Sequence, residues 1–179
     1  MKKLLFLSFF VLAFALTSCK KTDNTVVTPP PATDPIVTTW VSQGANIPYG
    51  LRVAPFKVVK IVATFNANNS YTVVQTDSSN TQTTLTGTYS TTASAYTDTV
   101  SASTTHGAAI ITIVANQSSP SPVTSTGIYA ISGSNMTYEI IQTQPAIAGV
   151  SAPTALGGFG STTIAGTKYA IYVQKYVKQ

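Results

Sequence analysis

The sequence predicts an all-β protein: a single antiparallel up-and-down barrel of about eight strands, with a β-sandwich as the alternative closure. Three observations predict it. Strong helix formers are scarce: beyond residue 18 leucine occurs only at Leu51, Leu85 and Leu156, and glutamate only at Glu139. Their place is taken by 16 valines and 13 isoleucines over the same stretch, and by 30 threonines in the 179-residue chain. Such β-branched side chains are stiff at χ1 and pack well on a pleated surface. Finally, from Ile36 onward, runs of these residues alternate with clusters of Asn, Asp, Gly, Pro and Ser, the pattern of consecutive antiparallel strands. Closing eight strands removes exposed edges and leaves room for packed side chains or one small ligand. Seven or eight strands in a sandwich would show the same alternation.

Ahead of the strands the chain carries an address. Lys2 and Lys3 precede an apolar run from Leu4 to Leu16, followed by Thr17, Ser18 and Cys19. This is the layout of a secretory leader, with a run too short to span a bilayer. The tetrapeptide Leu16, Thr17, Ser18, Cys19 resembles the lipobox of bacterial lipoproteins. The resemblance implies cleavage before Cys19, acylation of its thiol and anchorage in the bacterial cell envelope, with the outer membrane as the expected site. Cys19 is the single cysteine of the chain, and lipidation accounts for a lone thiol in an exported protein. Two or three acyl chains anchor stably where one does not. Residues 20–35 are polar and hold four of the ten prolines; with no apolar face to bury, they read as a tether. The expected organisation is a leader over 1–18, a lipid-anchored tether over 19–35 and a β domain over 36–179. Loss of the leader lowers the formal charge from +5 to +3, and only 8% of residues are charged. Nucleic acid is therefore not an expected partner.

The strands follow in order. The first, Val37 to Ser42, carries the only tryptophan, Trp40. The second, Lys57 to Asn66, is expected to set Val59, Ile61, Ala63 and Phe65 on one face. Asn66 to Asn69 turn the chain into Ser70–Thr76, since Asn tolerates positive φ. Gln82 to Thr91 follows, with Leu85, Gly87 and Tyr89 on one face. A polar stretch, Thr92 to His106, leads to the most apolar strand, Ala108–Ala115. After a Pro/Ser loop over Ser118–Val123 comes a tight hairpin, Gly127–Ser132 and Asn135–Thr143. The last strand, Thr167 to Val177, lies beyond a loop far longer than the usual ~4–6 residues. Two strands share a pattern: Tyr71, Val73 and Gln75 alternate as Tyr138, Ile140 and Gln142 do. Period-2 geometry points each trio one way, and Glu139, being charged, is expected to face water.

Trp40, the loop Gly44–Pro55, then Thr64, Phe65, Asn66, Asn68, Ser70, Tyr71 and Val73, then Gly87 and Tyr89, resemble the lipocalin-like domains of bacterial lipoproteins. The likeness covers residues 40–89 by motif and the later strands by count and spacing. It implies an up-and-down barrel and a basic residue near the C-terminus crossing Trp40, for which Lys168 and Lys175 are the candidates. Thr38 departs from the family, which usually has Gly two residues before the Trp. In such a barrel a small hydrophobic or amphipathic ligand would be lined by Phe65, Tyr71, Tyr89 and Tyr138. Gln75 and Gln142 would orient its polar groups, and Arg52, the only arginine, would meet an anionic head.

Catalytic chemistry is hard to assemble here. Beyond the leader there is one histidine, His106, and five acids: Asp23 and Asp34 in the tether, Asp77 in a turn, Asp98 in a polar loop, and Glu139. A nucleophile needs a positioned base and a metal needs three or four ligands, so the expectation is a non-enzyme without cofactor or metal. Gly157, Gly158 and Gly160 have no preceding strand or following helix to make a phosphate cradle, and read as a bend. The loop from Gln144 to Gly166 is too apolar for a linker and should fold over a barrel mouth or dock elsewhere. The alternative function is a structural or interaction lipoprotein that presents this loop and Gly44–Pro55 to a protein or glycan.

Overall fold

Eight strands close on themselves in the computed structural model, which describes residues 34–179. The expected leader, Cys19 and the tether up to residue 33 lie outside the described residues. The barrel strands are β1 (Thr39–Gln43), β2 (Val58–Phe65), β3 (Ser70–Asp77), β4 (Gln82–Thr97), β5 (Ala109–Ser119), β6 (Val123–Ser132) and β7 (Asn135–Gln144). Three two-residue strands, β8 (Val150–Ser151), β9 (Thr163–Ile164) and β10 (Thr167–Lys168), make a separate small sheet, and β11 (Val173–Lys178) completes the barrel. Each barrel strand pairs antiparallel with its neighbours, and β1 pairs with both β2 and β11. The up-and-down barrel is therefore the closure adopted, and the sandwich is not.

Several strands differ from expectation. β4 runs on to Thr97, β5 to Ser119, and β6 begins at Val123, because ladder hydrogen bonds need no apolar side chains and Thr and Ser fit a pleat. The last barrel strand is shorter than expected: Thr167–Lys168 belongs to the small sheet and Ala170–Tyr172 form a 3-10 turn. Val59 points outward, 45% exposed, since an irregularity between Val58 and Lys60 brings Val58 inside instead. A bulge of this kind reverses the alternation on one side of it. The late basic residue opposite Trp40 is Lys178, not Lys168 or Lys175. Lys168 lies outside the barrel and Lys175 pairs with Thr137.

The end where the chain joins the barrel is filled. Trp40 and Tyr129 are fully buried there, and Phe65 meets Tyr89 edge-on with ring centres 5.1 Å apart. Trp40 Nε1 donates to the Ile36 carbonyl at 2.9 Å and Tyr89 Oη to the Asn66 carbonyl at 3.0 Å. Asp34, assigned by sequence to the tether, is part of this plug. Its carboxylate accepts from the Ile36 amide (3.0 Å), Thr91 Oγ1 (3.1 Å) and Tyr129 Oη (3.3 Å).

A second layer covers the outer wall. Ile110, Ile128 and Ala130 face out from β5 and β6 into a buried cluster with Ala108, Ala155 and Phe159. Glu139 is fully buried there, contrary to expectation, accepting from the backbone amides of Gly160 (2.6 Å) and Thr162 (3.0 Å). Gly158 and Gly160 adopt φ of +69° and +83°, values open to glycine at little cost. The bend read from the three glycines is thus a cradle of N–H groups for the protein's own carboxylate. Asp98 is also buried rather than solvated. It accepts from the Val100 amide (3.0 Å) and from Thr105 Oγ1 (2.7 Å), which lies 2.7 Å from Thr137 Oγ1 on β7. The long loop therefore docks on the barrel's side and does not close its mouth.

Candidate ligand cup at the open end

The other end of the barrel is hollow. A cavity of about 150 Å³ opens there, between the β1–β2 loop and the turns after β3, β5 and β7. Its depth is set by Phe65, Tyr71, Tyr138 and Tyr176, and its sides by Ile61, Ala63, Val73, Leu85, Ala115 and Ile140. Toward the mouth stand Gln75, Gln117, Ser125 and Gln174, and Leu51 reaches in from the short helix α1 (Tyr49–Arg52). Each barrel residue comes from the inward parity of its strand, so period 2 alone places it once the register is fixed. Gly87, opposite Tyr71 in β3, also has a steric reason, since a Cβ there would collide with the Asn116 carbonyl of β5.

The cup has no carboxylate, amine, guanidinium or imidazole in its lining. Its titratable groups are tyrosines, all held protonated. Burial raises the Tyr71 hydroxyl above its ordinary value, and raises Tyr138 well above it, with the neighbouring tyrosines adding to the effect. Burial likewise raises Tyr176, which the Gln174 amide partly offsets. Tyr138 and Tyr176 meet edge-on, ring centres 6.0 Å apart. Gln174 is only 5% exposed, and its Nε2 is closed off from the cavity and stands by the Tyr176 hydroxyl.

Four residues expected at a ligand site, Phe65, Tyr71, Gln75 and Tyr138, come together in the cup. Three others do not. Tyr89 is buried at the filled end against Phe65. Gln142 turns its amide to the Pro145 carbonyl at 2.8 Å, holding the chain as it leaves β7. Arg52 is exposed, its guanidinium 5.8 Å from the centre of the Tyr49 ring, because the helical turn that sends Leu51 inward sends the next residue out. Gln117, Gln174 and Tyr176 were not foreseen. Alternation along Val173–Lys178 points to the last two once that strand starts at Val173; Gln117 lies beyond Ala115, the expected end of its strand, which in fact runs to Ser119. Among the described residues no three His, Cys, Asp or Glu side chains come together as a metal site. No protein-family model matches this chain, and no curated protein and no solved structure matches it either.

Proposed function

We propose that this chain is a lipid-anchored protein of the bacterial cell envelope whose lipocalin-like barrel binds a small molecule in the open-end cup. One observation carries the binding half of this reading. An open cavity of about 150 Å³ is walled by apolar and aromatic side chains, with Gln75, Gln117 and Ser125 toward its mouth, a lining suited to a small, largely apolar molecule. The anchoring half rests on the lipobox-like residues ending in Cys19. Native mass spectrometry tests the binding half on the chain from Lys20 onward, which retains the whole compact unit beginning at Thr33. Purified without detergent, it should carry reproducible extra mass that is lost on denaturation. A clean apo mass, with no calorimetric response to small amphiphiles or aromatics, would overturn it. Metabolic labelling with a fatty-acid analogue tests the anchor, and Cys19→Ser should abolish the label.

A second reading, a non-catalytic interaction protein that presents its loops to a protein or glycan, draws on exposed apolar side chains. Tyr49 is 57% exposed, Phe56 56% and Leu156 75%. On that reading the cup is incidental, and replacing Tyr49 and Phe56 with Ser would abolish partner capture while leaving any small-molecule binding intact.

A further inference from the structure

The segment that crosses the open end carries side chains that neither the barrel core nor the cup uses. Among the described residues ten large hydrophobic side chains stand exposed, and four of them, Tyr49, Val53, Phe56 and Val59, fall in the β1–β2 connection and the first residues of β2. We propose that this patch docks the open end of the barrel onto an anionic lipid bilayer. Its rings and aliphatic side chains enter the interface, and Arg52, Lys57 and Lys60 meet lipid phosphates. The proposal stands whether or not the cup holds a ligand.

Local geometry groups these side chains. Backbone hydrogen bonds close one turn from Pro48 to Arg52 and another from Val53 to Lys57. Ile47 and Leu51 point inward, leaving Tyr49, Val53 and Phe56 outside. The irregularity between Val58 and Lys60 then turns Val59 out at the start of the adjoining strand, and re-aiming a side chain is a common use of a bulge. Charge follows the same pattern. From Gln43 to Ile61 the chain holds Arg52, Lys57 and Lys60 and no acid, and the Arg52 guanidinium lies 5.8 Å from the centre of the Tyr49 ring. Asp77, opposite Val58 in the sheet, turns its carboxylate to the Ser79 and Thr81 amides at 2.8 and 2.9 Å. Asp34, Asp98 and Glu139 are likewise bound internally. Rings interleaved with cations match the bilayer interface, where aromatic side chains sit at headgroup level and each Lys or Arg near an anionic surface strengthens binding about fivefold. Reach permits the contact. The chain enters the barrel at its filled end, and the stretch from Cys19 to Asp34 extends to at most about 50 Å. A ten-residue strand such as β7 rises only about 34 Å. A lipid anchor at Cys19, as proposed above, thus leaves the open end free to turn to the same membrane.

Vesicle partition tests this on the chain from Lys20 onward, without the anchor. The vesicles are equal parts phosphatidylethanolamine and phosphatidylglycerol, with pure phosphatidylcholine for comparison. Lys20 and Lys21 are present in every variant, so differences report the patch. Tyr49→Ser with Phe56→Ser should lower partition onto the anionic vesicles at least about tenfold. Arg52→Gln with Lys57→Gln should lower it roughly twentyfold there and leave phosphatidylcholine binding unchanged. Leu156→Ser, which removes an exposed side chain of the docked loop, should change neither. On the unsubstituted chain a spin-labelled lipid should broaden the amide NMR signals of residues 49–60 first, a measurement that needs no variant to fold. Absence of partition, partition indifferent to either double variant, or broadening centred elsewhere would each overturn the proposal. A concentration-dependent dimer, without vesicle binding and lost in Tyr49→Ser with Phe56→Ser, would overturn it in favour of a second copy of the chain. Native mass spectrometry reads the cup separately, so failure here leaves the ligand-binding reading standing.

Discussion

At the end of the barrel where the chain enters, Trp40, Phe65, Tyr89 and Tyr129 fill the interior, and the polar atoms of Trp40, Tyr89 and Tyr129 each reach an acceptor. At the other end Tyr71, Tyr138 and Tyr176 surround a hollow. Both ends are built from aromatic and aliphatic residues on the inward parity of the same strands. They differ in what lies beyond the strands. Residues 34–38 fold back into the first end, bringing Ile36 and the Asp34 carboxylate as plug and acceptor. At the second end the β1–β2 segment sends in Ile47, which joins the core, and Leu51, which lines the cavity without filling it, while the long loop after β7 lies against the outer wall. Whether an eight-stranded barrel is solid or hollow thus depends here on its connections more than on its strands.

Stability measurements can break this contrast. Trp40→Ala, at the filled end, should cost about 3–5 kcal/mol, read as a lowered urea midpoint. Leu85→Ala, on the wall of the cup, should cost less than about 2 kcal/mol, since one side of Leu85 already faces a void. Equal losses would mean that the two ends are equally packed. Glu139→Ala comes next, at about 1–3 kcal/mol, because the Gly160 and Thr162 amides lose their acceptor beneath the loop. Limited proteolysis between Leu156 and Gly160 should accelerate while ligand affinity in the cup stays unchanged; altered affinity would instead make the loop a lid. The smallest effect is alkaline. The cup tyrosines are raised above the ordinary value of 10.0, so the unfolded chain ionises first. Their stabilisation is complete below about pH 10 and is lost as pH climbs above it. Tyr176→Phe should recover about 1 kcal/mol one pH unit above that value, checked by denaturant titration at both pH values.

Half of the cup was legible in the sequence. The alternation in Tyr71, Val73 and Gln75, and in Tyr138 and Ile140, survives into the barrel because nothing interrupts those strands. Where a local event shifts parity or a strand end, legibility fails. The irregularity at Val58–Lys60 put Val59 outside, and the late start of β11 hid Gln174 and Tyr176. Arg52 attracted attention as the only arginine, but rarity carries no information about direction.

By itself the sequence determined the all-β class, the number of barrel strands and most of the inward rows, since these follow from side-chain stiffness and a period of two. Only the tertiary structure decided the fate of the acids and the loops. Glu139 was expected in water because a lone carboxylate is costly to bury. It is buried because Gly160 and Thr162, 21 and 23 residues further along, bring two N–H groups to it. Asp34 is held by a still more remote donor, Tyr129, and Asp98 by the nearby Thr105, which itself stands against Thr137 on β7. Composition counts such groups, but only the closed chain brings a donor to a carboxylate, fills one end of the barrel and leaves the other open.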